Sequence, residues 1–254
     1  YESRLSLVGS EMCIRDSTHT ASMAGNYQGA IALLNKLAIA TVDGLESFLN
    51  TLMILHVHQP ISGNKIASLS CSGGEASLIA DLAEQFNFRF PKLSSKQKRK
   101  LKSALGDLVH LSNPLDYQTY VWNDQVKLTV AFKSMMEETY DFLFIIMDLP
   151  KQGRCSSDSW HPAIAALKEA KKIAKCPVGL ITSLEENMPE KFAKDLIKHS
   201  IIPLTGLENS LAAVKALQNV SIQWKIKSTP SIIWERWPNE KSRVLDEYLS
   251  LIHI

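Results

Sequence analysis

Asp141-Phe142-Leu143-Phe144-Ile145-Ile146-Met147 opens on one acid and continues as the longest unbroken apolar run of the chain. A strand with one wet face alternates apolar and polar residues, and this one does not. The run therefore predicts a central strand of a parallel sheet, buried on both faces. It is far too short to cross a bilayer. Pro177-Val178-Gly179-Leu180-Ile181-Thr182 repeats the pattern downstream, and Ile201-Ile202-Pro203-Leu204 is a shorter version. Between them, Pro162–Lys175 and Pro189–His199 carry helical periodicity, as does Leu207–Leu217 after the last strand. Strands that alternate with helices of ten to fifteen residues predict an α/β fold with a doubly wound parallel sheet.

The upstream half supplies the rest of that unit. Lys65–Ser70 reads as a strand and Glu75–Phe86 as a helix with Leu78, Ile79, Leu82 and Phe86 on one face. Phe88 and Phe90 alternate with Asn87, Arg89 and Pro91, which predicts a further short strand. Ser94 or Ser95 caps a helix bearing Leu101, Leu105 and Leu108. The Lys and Arg residues from Lys96 to Lys102 make that helix basic. They read either as a solvated face or as a phosphate-binding patch, the solvated face being preferred. Asn113-Pro114-Leu115-Asp116 reads as a turn, and Asp124–Thr139 as a helix.

Before this unit, Asn26–Ala38 reads as one helix. A second starts at Val42-Asp43-Gly44-Leu45-Glu46 and ends before Pro60 and Gly63. After it, residues 218–238 hold Trp224, Trp234 and Trp237 with little periodicity and read as a linker. Glu240–Leu249 begins a new amphipathic helix.

Composition narrows the function classes. With 45% hydrophobic and 21% charged residues the 254-residue chain is of ordinary globular make-up. A net charge of +2 gives no electrostatic reason to expect nucleic acid as partner. The four Cys, at 13, 71, 155 and 176, form no Cys-x-x-Cys pair. This argues against a zinc site or a disulfide framework and fits a reducing cytoplasm. His56 and His58 lie close together but have no Cys nearby and read as linker or surface residues. Tyr1–Ser17 has no Lys and lacks the regions of a signal peptide.

Two short motifs point to chemistry. Thr18-His19-Thr20-Ala21 places one imidazole among small residues just before a helix. Cys71-Ser72-Gly73-Gly74 lies between a strand and a helix, where first-turn amides can hold an anion. From the glycines alone, a plain strand-to-helix turn is the preferred reading. Asn113 and Asp116 are expected at the carboxyl edge of the sheet, where open α/β folds bind ligands. Asn113 equally fits a turn before Pro114. Asp81, inside a helix, reads as structural.

Thr18-His19-Thr20-Ala21 resembles the Ser-His-Thr-Gly segment of NDP-forming acyl-CoA synthetases, the relatives of succinyl-CoA synthetase. The resemblance runs from about Thr18 to about Leu217. It continues through Ser62-Gly63-Asn64-Lys65-Ile66-Ala67, Cys71-Ser72-Gly73-Gly74, Asp81 and Asn113-Pro114-Leu115-Asp116. It implies a flavodoxin-like strand order and a catalytic His19 that carries a phosphoryl group between nucleotide and acyl substrate. It also implies phosphate binding at Ser72, Gly73 and Gly74, with Asn113 and Asp116 at a substrate or phosphate edge. Glu75 departs from the family's small residue, and a carboxylate there would repel a phosphate if it pointed inward.

The domain layout implied is residues 18–59 as the end of a first ligase domain and 64–217 as a second, flavodoxin-like one. Residues 218–247 would be a linker and the start of an ATP-grasp domain. Residues 1–17 and 248–254 resemble translated sequencing adapter, or are natural termini, and are set aside. The resemblance implies a cytoplasmic fragment of an acid–CoA ligase. No cofactor would be bound by the fragment itself, while CoA, ATP and Mg²⁺ would serve the whole enzyme. Its partners would be the CoA-binding and ATP-grasp domains or subunits and a small acid, with no membrane and no nucleic acid. The alternative is a non-catalytic flavodoxin-like module with a regulatory, acyl-CoA-sensing role.

Overall fold

The computed structural model describes residues 27–37, 39–151 and 153–224. His19 and its neighbours, the two termini and the segment beyond Trp224 lie outside the described residues. Leu45–Gln218 forms one compact unit. Helix α1 (Tyr27–Lys36) precedes it, and has no buried residue.

The unit is a five-stranded sheet in the order β2-β1-β3-β4-β5, every neighbouring pair parallel. The strands are β1 (Ile66–Ser70), β2 (Leu115–Asp116), β3 (Phe142–Ile146), β4 (Val178–Thr182) and β5 (Ile202–Thr205). This is the expected doubly wound, flavodoxin-like order. All residues of β1, β3 and β4 are buried, as the apolar runs of β3 and β4 require, and in β1 the buried residues include Ser68 and Ser70.

Side chains leave alternate faces of each strand, so the sheet separates two cores. Leu143 and Ile145 of β3 join Ala67, Leu69 and Leu180 on one face. That face is covered by α4 (Ser95–Leu105), α5 (Gln125–Met136), α6 (His161–Lys171) and α7 (Glu190–Lys198). Phe142, Phe144 and Ile146 join Ile66, Ile181 and Leu204 on the other face. There α2 (Leu45–Val57), α3 (Gly73–Gln85) and α8 (Leu207–Trp224) close the layer. At Gly179 an added Cβ would lie 2.8 Å from the Phe142 ring and 2.9 Å from Leu204, so any larger residue there would have to displace one of those side chains.

Two expectations are corrected. Phe88–Phe90 is not a strand: Arg89 makes only an isolated bridge to Lys65. The edge strand is instead Leu115–Asp116, inside the stretch expected to be a turn. Its two residues carry too little pattern to be read as a strand, and pairing with Leu69 and Ser70 decides the matter. Helix α2 docks on the sheet beside β5. Asn50 Nδ2 donates to the Thr205 carbonyl at 2.8 Å, and the Thr205 amide donates back to Asn50 Oδ1 at 3.2 Å. Ser47 Oγ donates to Asn209 at 3.1 Å.

Candidate functional site

In this strand order the connection out of β1 leads to β2 on one side, the chain returns past β1 to β3, and the connection out of β3 leads to β4 on the other side, so the connections leaving β1 and β3 run in opposite directions. Such a switch point opens a crevice at the carboxyl ends of β1 and β3. The structure has a cleft of about 370 Å³ at that place. Cys71, just past β1, and Asp148, just past β3, stand on its two sides. Glu75 of α3, Trp122 and Trp160 form the remaining walls, with Thr119 and Asn123. The two indoles meet edge to face, centroids 5.8 Å apart.

The Ser72-Gly73-Gly74 turn borders this cleft. Helix α3 begins at Gly73 with Ser72 as its N-cap residue, and the Ser72 side chain makes no capping bond. Neither glycine has a positive φ. The close approach at Gly73 is to Asp116: an added Cβ would lie 3.3 Å from Asp116 Oδ2. The carboxylate of Asp116 accepts from the backbone amide of Gln118 at 2.9 Å and from its side chain at 2.6 Å. The first-turn amides of α3 therefore share their surroundings with acids rather than with basic side chains.

Glu75 feels that arrangement. Burial first, then the charges of Asp148 and Asp116, push its carboxyl up to about 7. Burial and the Glu75 charge likewise push the Cys71 thiol up to about 11, so it is a poor nucleophile at neutral pH. Asp148 Oδ1 accepts from the Ser183 amide at 2.7 Å and from Asn187 Nδ2 at 3.0 Å, which ties the mouth of β3 to that of β4.

Asn113 is placed elsewhere. Its Nδ2 donates to the carbonyls of Ile66 and Pro91, both at 3.1 Å, and its Oδ1 accepts from the Ser68 amide at 3.2 Å. The side chain is engaged along the edge of β1 and does not wall the cleft. Asp81 is exposed on α3. The basic residues of α4 behave largely as a solvated face: Lys100 and Lys96 pair with Glu137, and Lys102 with Asp107.

Sequence reasoning missed Asp148, Trp122 and Trp160. Asp148 was findable, as the first acid after the most buried strand. The two Trp come from connections whose course no periodicity reveals.

No protein-family profile matches the chain. Over 199 residues it is 25% identical to the acetate–CoA ligase [ADP-forming] II subunit alpha of Pyrococcus furiosus, covering 78% of this chain and 42% of that protein. Over 100 residues it is 29% identical to acetate–CoA ligase [ADP-forming] I of Archaeoglobus fulgidus. The curated relatives it matches are ADP-forming acetate–CoA ligases. The chain spans less than half the length of the Pyrococcus subunit. In fold it is similar to a Pyrococcus horikoshii crystal structure, with a TM-score of 0.64 and 21% identity over 80% of this chain and 46% of that one. It is also similar to the dinucleotide forming acetyl-coenzyme A synthetase 1 of Ca. Korarchaeum cryptofilum, solved with phosphate and ADP. There the TM-score is 0.63 at 17% identity over 82% of this chain and 44% of that one. Among the described residues no helix is long and apolar enough to cross a membrane.

Proposed function

We propose that this chain is part of an acid–CoA ligase of the ADP-forming type, converting a carboxylic acid, CoA and ATP into acyl-CoA, ADP and phosphate. The observation that carries the reading is the 199-residue alignment with an ADP-forming acetate–CoA ligase subunit. His19 is the phosphoryl carrier. A neutral imidazole is a competent nucleophile near pH 7: its nitrogen bonds to the γ-phosphorus as ADP leaves, and the phosphoryl group then passes to the carboxylate. The CoA thiol attacks the acyl phosphate, and phosphate departs.

A phosphohistidine is a dianion that needs donors, and the Ser72–Gly74 amides at the start of α3 supply them. Asp116 stands beside Gly73, so those amides serve a phosphoryl group best when Glu75 holds a proton, as it does for part of the population near pH 7. No group of three or more His, Cys, Asp or Glu among the described residues could hold a metal ion. In this reading Mg²⁺ and nucleotide belong to an ATP-grasp partner and CoA to a further domain, and the enzyme is cytoplasmic.

A second reading, a non-catalytic acyl-CoA-sensing module, draws support from the same acids, which oppose a dianion at this turn. Acyl-CoA formation separates the two. Residues 18–247 alone are expected to form none. The enzyme assembled with its nucleotide-binding partner forms it, and His19→Ala abolishes it. Activity from residues 18–247 alone, or full activity of His19→Ala in the assembly, contradicts the ligase reading.

A further inference from the structure

Helix α2 reverses the usual polarity of a surface helix, which buries its apolar stripe and leaves polar residues in water. The residues it buries are Ser47, Asn50, Thr51 and Ile54, three of them polar. Their polar atoms are satisfied: Asn50 bonds Thr205, Ser47 bonds Asn209, and Thr51 Oγ1 donates to the Ser47 carbonyl at 2.7 Å. All four leucines of the helix, Leu45, Leu49, Leu52 and Leu55, are instead exposed, by 42% to 61%. Single exposed leucines are ordinary, but a row of them along one helix marks a surface that another surface covers. Leu45, Leu49, Leu52 and His56 follow at steps of four, three and four, the spacing of a coiled-coil seam. Half-buried Phe48 and exposed Leu55 widen the row on one flank. Glu46 and His56, the ionisable residues of the helix, lie at its opposite ends.

We propose that this leucine row is a docking surface for a second copy of the chain, the two α2 helices lying antiparallel across a two-fold axis. An axis that passes between Asn50 and Thr51 sets Leu49 of each copy against Leu52 of the other, and Leu45 against His56. It also brings Glu46 of each copy within about one residue's rise, ~1.5 Å along the helix, of His56 on the other. The acid at one helix end thus meets the imidazole at the other, and the two helix dipoles oppose each other. The row is complementary to itself in both pattern and charge. Parallel pairing would lose this, since it sets Glu46 on Glu46 and His56 on His56.

The size of the surface sets the strength of the dimer. Each copy contributes one helix of 13 residues, about 20 Å long. That is less than a standard stable interface, so the expected Kd is on the order of 10–100 μM. The inference stands on α2 and does not depend on His19 or on the ligase reading.

The test is sedimentation equilibrium of the full chain from about 5 to about 500 μM, a range that brackets this affinity. The wild type should pass from monomer to dimer. Leu49→Lys and Leu52→Glu, each checked for unchanged circular dichroism, should each weaken the dimer about tenfold or more, because each sets a charge against a leucine. Leu108→Lys, at a residue 88% exposed outside α2, should leave it unchanged. Mixing the Leu49→Lys and Leu52→Glu chains should restore association. Antiparallel pairing then sets the introduced lysine against the introduced glutamate and keeps the other Leu49–Leu52 layer intact. A wild type that stays monomeric throughout assigns the row to a different molecule and overturns the proposal. A dimer that survives both substitutions, or mixed variants that do not associate, overturns it as well.

Discussion

At the scale of single residues, Glu75 is a carboxyl held far from its free-state chemistry. Burial and the neighbouring acids raise its folded pKa from 4.5 to about 7. An acid whose folded pKa is raised keeps its proton longer in the native state than in the unfolded one. Stability therefore falls as pH rises through the window from about 4.5 to about 7, and what is lost there is absent above it. Glu75→Gln removes this coupling. The variant should match the wild type at pH 4 and be the more stable of the two at pH 8, measured by urea denaturation. An unchanged pH slope between those values would show that the acids around Glu75 do not act on it. The departure of Glu75 from the family's small residue was legible in the sequence. Its raised pKa was not, because Asp116 and Asp148 reach it only through the pairing of β1 with β2 and β3.

At the scale of elements, two asparagine side chains finish a sheet that its strands leave incomplete. β2 pairs only with Leu69 and Ser70, so the earlier part of β1 has an open edge on that side. Asn113 fills it by bonding Ile66 and Ser68 as a neighbouring strand would. On the far edge Asn50 does the same for both backbone groups of Thr205. An unpaired edge is both a source of unsatisfied amides and a template for unwanted pairing. Asn113→Ala and Asn50→Ala should each cost about 2 kcal/mol or more, since each strands buried or half-buried backbone groups. Hydrogen exchange should accelerate at Ser68 in the first variant and at Thr205 in the second. Losses below about 0.5 kcal/mol, the range of neutral surface changes, would show that water replaces the amide side chains without cost. Local sequence could not reveal this role. Asn113 sits 47 residues from Ile66 and Asn50 155 residues from Thr205, and a polar side chain before a proline reads as a turn.

At the scale of the whole molecule, the long apolar runs made the parallel sheet legible, because β3 and β4 are buried on both faces and their sequences say so. The short edge strand was misplaced because two residues carry no period. The carboxyl-edge crevice followed from the fold class, whereas its indole walls come from connections that only the folded chain brings together. The phosphoryl chemistry rests on His19, in a motif read from the sequence and lying outside the described residues. The most direct measurement is acid-labile phosphate on the protein after the assembled enzyme is incubated with γ-labelled ATP. The account predicts label on His19, discharged by acid substrate and CoA, and none in His19→Asn. Label that persists in His19→Asn, or that maps to another of the seven His, would contradict it.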